Sequence, residues 1–130
     1  GFVCLWSTLV GSILAATMHG GRHVIATALV PPSALALFFP AWTAAALFQP
    51  IGALAFVTDG IHWGTGDFRY LRNVVILATV CGAMGLWILG EGRPDLLAGI
   101  WGITGLWITI RAGVGLLRIW PAIGDAPLKG

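Results

Sequence analysis

The stretch QPIGALAFVTDGIHWGTGDFRYLR, residues 49–72, decides how the chain is read. It starts inside an uncharged run, passes one acid at Asp59, opens into Gly60, Gly64 and Gly66, and closes on Asp67, Phe68, Arg69, Tyr70 and Arg72. Working outward, both flanks are apolar. Of 130 residues 58% are hydrophobic and only 9% charged, whereas about a quarter of the residues in a soluble domain carry charge. The composition is that of an integral membrane protein built from helices.

Runs of about 18 or more apolar residues are long enough to cross the hydrocarbon core. Residues 1–18 form a first such run; no initiator Met and no basic stretch precede it, so a signal peptide is a poor reading and the sequence is expected to begin inside a helix. Val24 to Thr58 is 35 residues without a charge, more than one span needs. Pro31-Pro32 divides it, because the residue before proline is pushed out of the helical region. Val24 to Val30 then reads as a short interfacial piece, and the second span as about 33–63. Pro40 and Pro50 within it predict a kinked or locally unwound helix. The third span is expected over 68–90, with Asp67 capping its free amides. The fourth covers 95–119, with Pro94 and Asp95 suited to a helix start and Arg111 well inside it. Residues 120–130 remain as a tail.

Arg69, Arg72, Arg118 and Lys129 fall on one side of the membrane, Arg22 and Arg93 on the other. The positive-inside rule places the first group, both chain ends and the 64–72 connection in the cytoplasm, which suits a plasma (inner) membrane protein. A net charge of +2, without clustered basic and aromatic residues, implies no nucleic-acid partner. Cys4 and Cys81 read as packing thiols. His19 and His23 stand four apart, but Gly20-Gly21 between them argues against a helix there, and no metal or cofactor is expected. Neither a nucleophile elbow, a phosphate loop nor a carboxylate pair is present, so no enzyme chemistry is implied.

The opening stretch resembles the multidrug and toxic compound extrusion (MATE) family, particularly its DinF-like branch and the related plant organic-anion exporters. That group carries a Q-P-x-N-[AS]-x-A-F-V-x-D-G-x-x-x-G-[AT]-x-D-F run. Gln49, Pro50, Ala53, Ala55, Phe56, Val57, Asp59, Gly60, Gly64, Asp67 and Phe68 fall on it without a gap, and Arg69, Tyr70 and Leu71 extend it in the bacterial manner. Gly99 to Arg111 and Leu117-Arg118-Ile119 are similar to the last helix of the family. Gly52 departs from the pattern, standing where the family has asparagine.

The resemblance implies an all-α transporter with twelve helices in two six-helix lobes. The four spans would be helices nine to twelve, part of the second lobe, and the eight preceding helices would be partners along with the bilayer. Its implied activity is exchange of protons or sodium for a small organic solute, a toxic compound or drug. The alternatives are export of a citrate-like organic anion, a free-standing four-helix scaffold, or a remnant without transport. Asp59, Gln49, Gly52 and Arg111 are the candidates for transport and coupling. An ionisable residue inside a span faces a cavity or a partner, so Asp59 is expected either to pair with Arg111, Arg69 or Arg72 or to take part in coupling. Gln49 either meets solute or satisfies the carbonyl freed by Pro50. Asp67, Arg69 and Arg72 are candidates for a cytoplasmic anchor or gate, and Phe48 and Phe56 for solute contact, with Trp63 and Trp87 as further flat surfaces. Gly82, Gly85, Gly99, Gly102, Gly105, Gly113 and Gly115 suit close helix approach.

Overall fold

Proline and glycine set the element boundaries. In the computed structural model, which describes residues 1–119, α1 spans Phe2–Leu29 and stops one residue short of Pro31. Val30 there is extended, with φ −109° and ψ 124°, as a residue preceding proline must be. A single 3₁₀ turn, Pro32–Ala34, leads into α2, Leu35–Leu47. Helix α3, Gln49–Gly64, follows at once. Gly66 (φ 76°) makes the turn into α4, Phe68–Leu89, and α5 covers Leu96–Ile119. The tail expected over 120–130, with Lys129, lies outside the described residues.

Among the described residues three helices, α1, α4 and α5, are long and apolar enough to cross a membrane, and the bent pair ending at Leu47 and starting at Gln49 makes a fourth if taken as one span. No strand occurs among them. The chain is an all-α membrane protein. Its outward surface agrees: Trp87, Leu29 and Val24 are each more than 70% exposed, as lipid-facing side chains are when no bilayer covers them.

Two expectations need correction. Val24 to Val30 is not a separate interfacial piece, and Gly20-Gly21 does not break the helix; both belong to α1. A glycine inside a helix costs only about 1 kcal/mol, and tertiary contacts hold this half of α1 in place. Trp42 Nε1 donates to the Met18 carbonyl at 2.8 Å, and the His23 and Phe39 rings lie 5.2 Å apart. His19 is drawn toward Arg22, 3.5 Å away.

The second span bends by 44° between α2 and α3. Pro50 sits in the first turn of α3, where a missing N–H costs nothing, while Pro40 stays within α2. Neighbouring helices clamp the bend. A β-carbon at Gly11 of α1 would lie 2.7 Å from Pro50 Cα, and one at Gly105 of α5 would fall onto the Phe48 ring. Only glycine lets both helices come this close. The seams of α3 and α2 are otherwise lined by alanine: Ala41, Ala45, Ala46 and Ala55 are all buried. Helix α4 packs along α5, with Gly82 against Trp107 and Gly85 against Ile103.

Candidate functional site

Two stripes run along α3. Ala55, Thr58 and His62, spaced at i, i+3 and i+7, are buried at 3%, 0% and 1% exposure. Gly52, Phe56, Asp59 and Trp63, one residue round the helix, border cavities. Both spacings follow the 3.6-residue period. Helix α5 answers with Thr104, Ile108 and Arg111 on its cavity-facing side.

Together they outline a groove along the α3 and α5 seam. Its inner part is an apolar cavity of about 380 Å³, lined by Phe48, Gln49, Gly52, Phe56, Gly105 and Ile108 among others. A narrower space of about 70 Å³ carries on past Gly52, Phe56 and Ile108 to Arg111. Beyond Arg111 a wider cavity of about 510 Å³ opens between Asp59, Trp63 and the start of α4. Phe48, Gln49, Gly52 and Phe56, chosen from the sequence alone, therefore share one wall, and Asp59 and Arg111 stand where that wall meets the outer cavity.

Asp59 and Arg111 form an ion pair across the seam, Arg111 Nη2 donating to Asp59 Oδ2. Both side chains are largely sheltered, at 13% and 15% exposure. The guanidinium also lies 4.4 Å from the centre of the Trp107 ring, a cation–π arrangement. Arg111 Nε is buried with no hydrogen-bond partner among the described residues. Of the partners considered for Asp59, the structure selects Arg111; Arg69 and Arg72 line the outer cavity without pairing with it. Gln49 Nε2 donates to the Ala45 carbonyl at 3.3 Å, so the amide serves the backbone at the bend.

Asp67 corrects another expectation. It occupies the N-cap position of α4, but its side chain makes no capping hydrogen bond. Arg118 takes the carboxylate instead, Nε donating to Oδ2 at 3.0 Å and Nη2 to Oδ1 at 3.5 Å. A two-point guanidinium contact outcompetes neutral backbone amides. His62 completes the cluster. Its Nε2 lies 3.3 Å from the Gly115 carbonyl, and its Nδ1 lies 3.4 Å from Asp67 Oδ2, at ion-pair distance but out of line for a hydrogen bond. Tyr70 donates to the Val114 carbonyl at 2.8 Å and supports Arg118 on its ring, 4.9 Å away. This knot ties the α3 to α4 corner to the end of α5, so Asp67 anchors through α5, while Arg69 and Arg72 remain outside the knot.

His62, Tyr70 and Arg118 were not singled out as a unit from sequence. The one available signal was the 55, 58, 62 spacing, which puts His62 on the buried stripe with no partner on its own helix. Among the described residues no group of three His, Cys, Asp or Glu side chains gathers as a metal site would, and Cys4 and Cys81 are free thiols.

No family model matches the chain, and no solved structure matches it. Three curated proteins of Arabidopsis thaliana do. Protein DETOXIFICATION 42 is 30% identical over 123 residues, covering 89% of this chain. Protein DETOXIFICATION 44, chloroplastic, and Protein DETOXIFICATION 43 are 31% and 32% identical, each over 62% of this chain. The chain spans only 22%, 16% and 15% of these relatives' lengths. Along most of its length, then, the chain is similar to one part of the DETOXIFICATION proteins, and these matches support the multidrug and toxic compound extrusion family.

Proposed function

We propose that this chain contributes one helix group to a secondary active exporter, in which the Asp59 and Arg111 pair responds to the coupling ion. The observation that carries the reading is an ion pair set across a groove, at the point where an apolar cavity meets a wider, arginine-rich one. A sheltered carboxylate inside a span is expensive unless paired or used. A proton or sodium ion taking the Asp59 carboxylate would release Arg111, and the α3 and α5 seam would lose the contact that holds it shut. Phe48 and Phe56 would then offer apolar surface to a small toxic organic compound passing along the groove. Charge distribution and the shared end of Asp67 and Arg118 support an orientation with the α3 to α4 corner in the cytoplasm of a plasma (inner) membrane.

The test is export by the full-length protein in vesicles under imposed proton and sodium gradients. Asp59→Asn should transport with its gradient dependence lost. Unchanged export with unchanged dependence on both gradients would sink the proposed role of Asp59. A second reading, export of a citrate-like organic anion, is favoured by the unpartnered Arg111 Nε: a solute carboxylate could replace that of Asp59. Competition between citrate and a cationic dye in the same vesicles separates the two.

A further inference from the structure

We propose that the outer cavity between α3 and α4 is a binding site for an anionic phospholipid of the adjacent leaflet. Arg69, Arg72 and Ile76 follow one another at i, i+3 and i+7 on α4, so one stripe begins basic and becomes apolar. Across the turn, Trp63 at the end of α3 meets Phe68 at the start of α4 edge to face, with ring centres 5.4 Å apart. The resulting groove of about 510 Å³ has aromatic lips, an apolar wall that includes Val75 and Ile76, and three guanidinium groups, of which Arg111 is held by Asp59. Trp63, Phe68 and Ile76 are 65%, 52% and 54% exposed. Aromatic residues at span ends mark the depth at which lipid head groups lie.

Charge decides the occupant. Among the described residues the only acid lining this cavity, Asp59, is committed to Arg111, and Asp67 beside it is committed to Arg118. Among the described residues neither Arg69 nor Arg72 joins an ion pair, and the one partner Arg72 has is the neutral Asn73 side chain, 3.3 Å away. Two uncompensated guanidinium groups favour a phosphate, which they bind in forked geometry. Basic pockets between helices near the membrane surface bind anionic head groups for this reason. A soluble anion would satisfy the arginines and leave the apolar wall unused, whereas a phospholipid fills both halves, phosphate on Arg69 and Arg72 and acyl chain along Val75 and Ile76. The inference stands apart from the transport reading, because it needs neither the coupling ion nor the exported solute.

Trp63 makes the site visible. The protein is reconstituted with phosphatidylglycerol or phosphatidylcholine brominated in the acyl chain, and the quenching assigned to Trp63 is the difference between wild type and Trp63→Phe. Brominated phosphatidylglycerol should quench Trp63 more than brominated phosphatidylcholine at equal content. The preference should fall about thirtyfold in Arg69→Gln/Arg72→Gln, the two arginine contributions taken together, and stay unchanged in Arg93→Gln at the opposite end. Equal quenching by the two lipids, or a preference surviving in the double variant, would overturn the proposal. So would loss of the preference on adding soluble glycerol phosphate, which would show that the head group alone occupies the groove. Arg69→Lys/Arg72→Lys guards against misfolding, since it keeps the charge without the fork and should retain part of the preference; the same loss as in the glutamine variant would count against charge as the cause.

Discussion

Removing Arg111 should cost more stability than any other single side-chain change in the groove. In Arg111→Gln the Asp59 carboxylate, 13% exposed, keeps its burial and loses the one cation paired with it among the described residues. Breaking a sheltered pair from one side costs about 3–5 kcal/mol, most of it from the charge left behind. The variant also forfeits the stacking on Trp107, worth roughly 0.5–2 kcal/mol. Asp59→Asn leaves that stacking in place, so its loss should be the smaller of the two. The double variant Asp59→Asn/Arg111→Gln carries neither charge, and its cost should fall short of the sum of the singles by about 0.5–3 kcal/mol, the range for residues in direct contact. Equilibrium unfolding in mixed micelles measures all three against wild type. Additive effects, or single losses below about 1 kcal/mol, would refute the claim that the seam is held by this pair.

Two further outcomes test the packing. Gly105→Ala should destabilise by about 1–3 kcal/mol or more, because its β-carbon falls onto the Phe48 ring, while Gly102→Ala, with open space around it, should be close to neutral; thermal melts of the pair decide it. Tyr70→Phe removes the hydroxyl that donates to the Val114 carbonyl and should cost about 1 kcal/mol, measured in the same micelles. No change would mean that the knot around Asp67 holds without it.

Much of the fold was legible because helix signals are local. Pro31-Pro32 ends α1 and Gly66 turns the chain into α4, since proline and glycine act on their own backbone and its immediate neighbours. The same local logic misled at Gly20-Gly21, where packing of α2 against α1 outweighs glycine's weak helix preference. It misled again at Asp67, because a capping preference says nothing about a guanidinium arriving from another helix. In the groove, Gln49 and Gly52 were found through their place in the opening motif and Phe56 as a flat apolar side chain, whereas His62 and Tyr70 lie in the same stretch and their roles depend on α5.

By itself the sequence determined the solvent of this protein and the rough course of its backbone. An apolar chain with few charges must satisfy its amides in helices when water is excluded, and its prolines state where those helices yield. Only the tertiary structure decided which charges meet. Asp59 and Arg111 are 52 residues apart, and Asp67 and Arg118 are 51 apart. Whether such groups face each other depends on the rotation and approach of whole helices. Those are set by where one helix can sink onto another, at Gly11 against Pro50, Gly105 against Phe48, and Gly115 against Thr58, and no residue carries that information alone.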